Sequence, residues 1–190
     1  MSFDAVHDLQ AAYRGLLEAF SFPGRAVTLA GAEAIAPLLG TDEIPALGLA
    51  AATLIDQETS YFVEGALEAF LVEWSARPPA APGEAAFLVL PRFDDARLTW
   101  LIGEARRGTL LDPHLGATLL VGVDDLDDGV PCVLSGPGIE TPRERVLPDG
   151  AWRSARHAKV KEFPLGVDIA WLDRRHRVMA LPRTTVLGGA

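Results

Sequence analysis

Leu181-Pro182-Arg183-Thr184-Thr185 sets a guanidinium and two hydroxyls side by side, a combination able to hold a phosphate, phosphonate or carboxylate through paired hydrogen bonds. The competing role for Arg183 is an internal ion pair with a carboxylate such as Asp168, with Thr184 and Thr185 serving only an extended backbone. Asp168 closes the block Phe163-Pro164-Leu165-Gly166-Val167-Asp168, which reads as a turn delivering a carboxylate into the next strand. A buried, ionised Asp168 needs a partner there, because an unpaired charge is costly away from water. Ser135-Gly136-Pro137-Gly138-Ile139 follows a strand-like run, where a glycine loop could cradle a phosphate. It has neither the Gly-x-Gly-x-x-Gly nor the Gly-Lys-Ser/Thr pattern of nucleotide loops, and a tight turn needing glycine torsions is the simpler use of its residues.

The remaining reactive side chains do not assemble a site by spacing. His7, His114, His157 and His176 lie far apart, and none makes the i, i+4 pair of a helical metal site. Cys132, mid-strand between Pro131 and Val133, reads as a buried, inert thiol. Ser135 stands in no Gly-x-Ser-x-Gly elbow. The acidic stretch Asp124 to Gly129 resembles a calcium loop only in its carboxylates; it lacks the spacing and the terminal glutamate, and reads as a solvated turn.

The elements that must position these residues follow from periodicity. Val6, Leu9, Tyr13, Leu16, Leu17 and Phe20 draw one stripe down a helix over 6–20, ended by Ser21-Phe22-Pro23-Gly24 and followed by a short extended stretch, 26–29. Pro45 opens a second helix to Ile55. Strands are predicted over 61–63, 86–90, 118–123, 130–134, 167–172 and 178–181, and helices over 66–75, 94–107 and 152–160. Arg77 to Gly83 is too proline-rich for either and reads as a surface loop rather than a linker between domains. Helices alternate irregularly with strands and the closing strands form a hairpin, so the expectation is a single α/β domain over 1–190, with a mixed sheet covered by helices on both faces.

Composition narrows the function. The 190 residues are 49% apolar and 23% charged, an ordinary globular balance. A net charge of −9 argues against a general binder of nucleic acid or anionic membrane, while leaving room for a local arginine patch. One cysteine excludes an internal disulfide framework. The longest apolar run, Ile44 to Ile55, is twelve residues and contains Pro45 and Gly48, short of the roughly 20 a spanning helix needs. The first ten residues carry Asp4 and Asp8 and lack a signal-like start, which places the protein in the cytoplasm.

Five motifs occur in the order found in a known family. They are Tyr13-Arg14-Gly15-Leu16-Leu17-Glu18-Ala19-Phe20-Ser21-Phe22-Pro23-Gly24; Leu54-Ile55-Asp56-Gln57-Glu58-Thr59; Gly108-Thr109 through Gly116-Ala117-Thr118-Leu119; Ser135 to Ile139; and Phe163 to Asp168 with Leu181 to Thr185. Over nearly its whole length the chain resembles the H subunit of the bacterial carbon–phosphorus lyase system. That resemblance implies a part in phosphonate catabolism, in which G, H, I and L proteins with ATP attach a phosphonate to C1 of ribose and release adenine. It implies an accessory subunit that docks through the G subunit onto the I and J subunits and forms a homodimer when isolated. It implies no cofactor, no metal and no assigned catalytic residue, leaving Arg183, Thr184, Thr185 and Asp168 as candidates for an anion or partner contact.

The family's fold is similar to the scaffold of pyridoxal-phosphate-dependent transferases. Only Lys159 and Lys161 could supply the lysine such chemistry requires, and both precede Phe163 in a predicted helix or loop. The expectation is therefore that scaffold without its catalytic lysine. The alternatives are a small-anion binding module and a vestigial pyridoxal-phosphate-type enzyme.

Overall fold

The computed structural model describes residues 2–188. Helices α1 (His7–Ser21), α2 (Ala32–Ile35), α3 (Pro45–Leu54), α4 (Leu67–Ser75), α5 (Asp95–Glu104) and α6 (Trp152–Val160) alternate with strands β1 (Val27–Thr28), β2 (Tyr61–Val63), β3 (Phe87–Leu90), β4 (Thr118–Val123), β5 (Val130–Gly136), β6 (Ile139–Leu147), β7 (Asp168–Asp173), β8 (Arg177–Leu181) and β9 (Val186–Gly188). The main sheet has the order β1-β8-β7-β4-β3-β2. Its members β2, β3, β4 and β7 are parallel; at one side β8 pairs antiparallel with β7, and β1 pairs antiparallel with β8. This is the mixed α/β sheet expected from the sequence.

Alternation along the strands assigns side chains to two faces. In β4, Leu120 joins the core that α1, α3 and α4 cover, while Leu119 and Val121 join the opposite core. In β7, Ala170 and Leu172 face the first layer and Ile169 and Trp171 the second. Both faces are covered, so the inner strands are nearly continuous apolar runs. Trp171 meets Trp152 of α6 edge-on at 4.9 Å between ring centroids, which anchors α6 to the second face.

Local chemistry sets the helix ends. Asp4 accepts from the N–H groups of Val6 and His7 at 2.9 and 3.0 Å and caps the start of α1. Pro45 occupies the first turn of α3, whose residues Ala46 to Ala52 are all buried. Asp94 caps α5 through the Arg97 N–H at 2.7 Å, and that helix stops at Glu104, three residues before the predicted boundary. The stretch 77–83 lies along the edge of β2, with the Ala80 N–H donating to the Tyr61 carbonyl at 2.7 Å.

Two features go beyond the sequence reading. A short helical segment, α2 with the 3-10 turn Ala36–Leu38, fills the region before α3. A second sheet, ordered β6-β5-β9, packs over the second face with Cys132 and Leu134 of β5 in its core. The run Ser135 to Ile139 makes the turn of the β5–β6 hairpin, with Gly136 and Gly138 at φ of 126° and 80°.

Candidate functional site

Because β7 pairs with β8 from Ile169 against Leu181, Asp168 at the head of β7 faces the residues leaving β8. The Arg183 backbone N–H donates to Asp168 Oδ1 at 2.6 Å, and its Nη2 lies 2.5 Å from Asp168 Oδ2. Arg183 Nε is 3.2 Å from both carboxylate oxygens. Nη1 donates to the Pro113 carbonyl at 2.8 Å and Nη2 reaches the Gly116 carbonyl at 3.4 Å. The pair is the internal ion pair named above as the competing role, with side chains only 14% and 17% exposed. Gly116 makes room for it: a Cβ there would fall 2.4 Å from Arg183 Nη1.

The other motifs gather around this pair at the amino ends of the parallel strands. A Cβ on Gly138 would meet the Ser21 carbonyl oxygen at 2.4 Å and Pro23 Cδ at 2.7 Å, so the hairpin turn is seated against the end of α1. Gly136 lies against the Thr184 carbonyl in the same way. The Gly24 N–H donates to the Ala180 carbonyl at 3.1 Å, and the Gly166 N–H to the Arg107 carbonyl at 3.0 Å. Asp56 holds a turn through Thr59 Oγ1 at 2.7 Å at the head of β2, on the far edge of the same end. Motifs that are distant in sequence are thus brought together, save for the one around Asp56.

Thr184 is half-buried and Thr185 buried, and both line a cavity of about 620 Å³ between α6 and residues 183–188. Its wall contains Arg156, which sequence reasoning missed. Arg156 is 2% exposed; its Nη2 donates to the carbonyls of Pro182 at 2.6 Å and Thr185 at 3.1 Å. Its Nε and the Thr185 hydroxyl are buried without a hydrogen-bond partner. Burial pulls the Arg156 guanidinium down to about 10, opposed only by the charge of Asp168. A legible signal existed: Trp152, Arg156 and Val160 recur every four residues and share one face of α6.

The carboxyl ends of the strands, where open α/β sheets commonly take ligands, carry a different arrangement. Asp173, fully buried, accepts from the N–H groups of Leu126, Arg175 and Arg177 and from Arg177 Nε at 2.8 Å. Arg177 also grips Asp125 and Asp127 at 2.7 and 2.8 Å. The acidic turn expected to be solvated is therefore pinned by the arginines of the β7–β8 turn, because the fold sets the two turns side by side. A cleft of about 360 Å³ lies beside it, between Arg92 and Asp128.

The histidines stay apart: His7 is exposed beside Asp4, His176 sits in the β7–β8 turn at φ 63°, and His157 is on the rim of the α6 cavity. Among the described residues no three His, Cys, Asp or Glu side chains are placed to hold a metal, and no helix is long and apolar enough to cross a membrane. Cys132 is 1% exposed, and burial pushes its thiol up from the usual value. Lys159 Nζ donates to the Gly103 carbonyl at 2.7 Å, and Lys161 is exposed. The α6 cavity that Lys161 borders has no carboxylate in its wall to hold a pyridinium nitrogen. The residues present do not fit a pyridoxal phosphate site.

Fold and site together define an α/β protein whose family-like motifs converge on a saturated arginine–aspartate pair. The chain matches the model of the bacterial phosphonate metabolism protein (PhnH) family over residues 2–188, and it belongs to that family. It is 38% identical over 183 residues to the putative C-P lyase subunit protein HtxG of Stutzerimonas stutzeri, an alignment covering 93% of this chain and 84% of that protein. It is 32% identical over 202 residues to the alpha-D-ribose 1-methylphosphonate 5-triphosphate synthase subunit PhnH of Rhizobium meliloti (strain 1021), covering 97% and 92% of the two chains.

Proposed function

We propose that this chain is an accessory subunit of a cytoplasmic carbon–phosphorus lyase assembly. It acts with G, I and L subunits in the ATP-dependent attachment of an alkylphosphonate to C1 of ribose with release of adenine, and it supplies no principal catalytic group. It docks through the G subunit onto the I and J subunits and forms a homodimer when isolated. Its scaffold is that of a pyridoxal-phosphate transferase put to another use. The observation that carries this reading is the use to which the motif residues are put: Arg183, Asp168 and Gly116 satisfy one another and hold loops together. The names of the two relatives support the same assignment.

The surface supports a role inside an assembly as well. Leu110 and Leu111 are 66% and 92% exposed on the loop after α5, and Phe163 is 73% exposed on the neighbouring loop. The two loops touch through Arg107 and Glu162 at 3.5 Å. Large apolar side chains left exposed on two adjoining loops fit a surface that meets a partner.

The test is adenine release from ATP and methylphosphonate by reconstituted G, I and L subunits with and without this protein, followed in parallel by size-exclusion chromatography. The expected result is release that depends on this chain and co-elution of it with the others. Full release in its absence would break the assignment.

A further inference from the structure

The groove between α6 and β9 carries charge of one sign on a molecule of the other. Arg153, Arg156, His157 and Lys161 line it, and no Asp or Glu side chain is among the described residues of its wall, although the chain has a net charge of −9. Arg153 donates to the carbonyls of Leu147 and Pro148, and Arg156 to those of Pro182 and Thr185, contacts that fix the guanidinium groups without neutralising them. The flanking Glu162 is paired with Arg107, and Asp168 with Arg183. His157 and Lys161 stand exposed at the rim. Apolar surface and a strand edge adjoin this charge. Phe163 and Val186, 73% and 59% exposed, flank Val160 and Leu187 in the same wall. β9 is an edge of the small sheet, and all three of its residues line the groove. An extended segment can pair its backbone with such an edge while its alternate side chains meet the wall. The surface is complementary to carboxylates interleaved with aliphatic groups. A long polyanion or an anionic membrane fits it less well, because its charge would run beyond the groove onto an acidic molecule.

We propose that this groove docks an extended, acidic segment of a partner protein alongside β9, its carboxylates meeting Arg153, His157 and Lys161 and its aliphatic side chains lying on Phe163 and Val186. The inference rests on the accessory role for the source of the segment, another subunit of the assembly.

Fluorescence-anisotropy titration of the full-length protein with a labelled, end-capped peptide of alternating glutamate and valine tests the groove without any other subunit. About six residues, roughly 20 Å when extended, span the roughly 13 Å length of α6. Saturable binding that weakens with added salt is expected. It should be tighter than that of a glutamate–serine peptide of the same length and charge, because of the apolar wall. His157→Glu combined with Lys161→Glu, both at exposed positions, turns attraction into repulsion and weakens binding about tenfold or more, with the melting temperature unchanged. No saturation at about 5 mM peptide, equal affinity for the two peptides, tighter binding of a short oligothymidylate, or unchanged affinity in the double variant would each overturn the proposal. Size-exclusion chromatography with the G, I and L subunits separates its failure from that of the accessory role. Co-elution of the parent but not of the double variant is expected, and co-elution of both would overturn the groove while the accessory role stands. A parent that joins no subunit would overturn the accessory role, and the peptide titration then decides the groove by itself.

Discussion

An arginine whose N–H groups already reach a carboxylate and two carbonyls is a fastener before it is a ligand-binding group. Arg183 and Asp168 are mostly shielded from water, so removing one partner leaves an uncompensated charge. Arg183→Met is expected to cost about 3–5 kcal/mol of stability. Adding Asp168→Asn to it should restore part of the loss, and urea denaturation of the single and double variants measures the coupling. Cys132 gives a second prediction at this scale. It is 1% exposed and burial raises its thiol, so the reactive thiolate is both scarce and screened. An aromatic disulfide reagent at pH 8 should leave the native protein unmodified over a time in which the urea-unfolded chain reacts fully.

Between elements, Asp95 in the first turn of α5 reaches across to a second helix, accepting from the N–H groups of Ala151 and Trp152 at 3.0 Å each at the start of α6. Those bonds, that of Trp152 foremost, hold the Asp95 carboxyl below the ordinary aspartate value of 3.8. A carboxyl lowered in the folded state adds stability that is fully present above 3.8 and is lost as the pH falls through the lower folded value. Asp95→Ala should therefore lose about 1 kcal/mol at pH 7, the usual effect of deleting a helix cap. The difference from the parent should shrink as the pH is taken below the ordinary aspartate value, and urea midpoints at pH 7 and pH 3 check both statements. Elements of this second layer also mark where the sequence stops being legible. The inner strands and α1 are readable because one period dominates each: buried on two faces or on one stripe. β6 is an edge strand carrying Glu140, Thr141, Pro142, Arg143, Glu144 and Arg145, mostly turned to solvent, so its pattern is that of a loop. β9 has only three residues and exists through its pairing with β5. The site divides in the same way. The pairing of Arg183 with Asp168 was one of two readings open in the sequence, whereas Arg156 sits in a helix whose neighbours Arg153, His157 and Lys159 suggest solvent on every side.

At the scale of the whole molecule, the main sheet and the small sheet must hold one relative position for the motifs to converge, and Gly138 is one point that fixes it. The β5–β6 turn enters the corner made by Ser21 and Pro23 at the end of α1, so close that a Cβ on Gly138 would sit 2.4 Å from a backbone oxygen. Its φ of 80° adds a conformation that other residues adopt only with strain. Gly138→Val is expected to cost about 2 kcal/mol or more, from the backbone and from overpacking together. The distribution of that loss is the more informative quantity. Among the described residues β5, β6 and β9 are joined to the remainder by packing and by side-chain hydrogen bonds, such as those of Arg145 to the Gly24 carbonyl and of Arg153 to the Leu147 carbonyl, not by ladder hydrogen bonds to the six-stranded sheet. They can therefore open as a unit while β2, β3 and β4 stay protected. Amide hydrogen exchange of the variant should show faster exchange over 130–147 and in β9, with β3 and β4 unchanged. Uniform acceleration across both sheets would instead make them one cooperative unit, with the α1 corner a support for the entire fold.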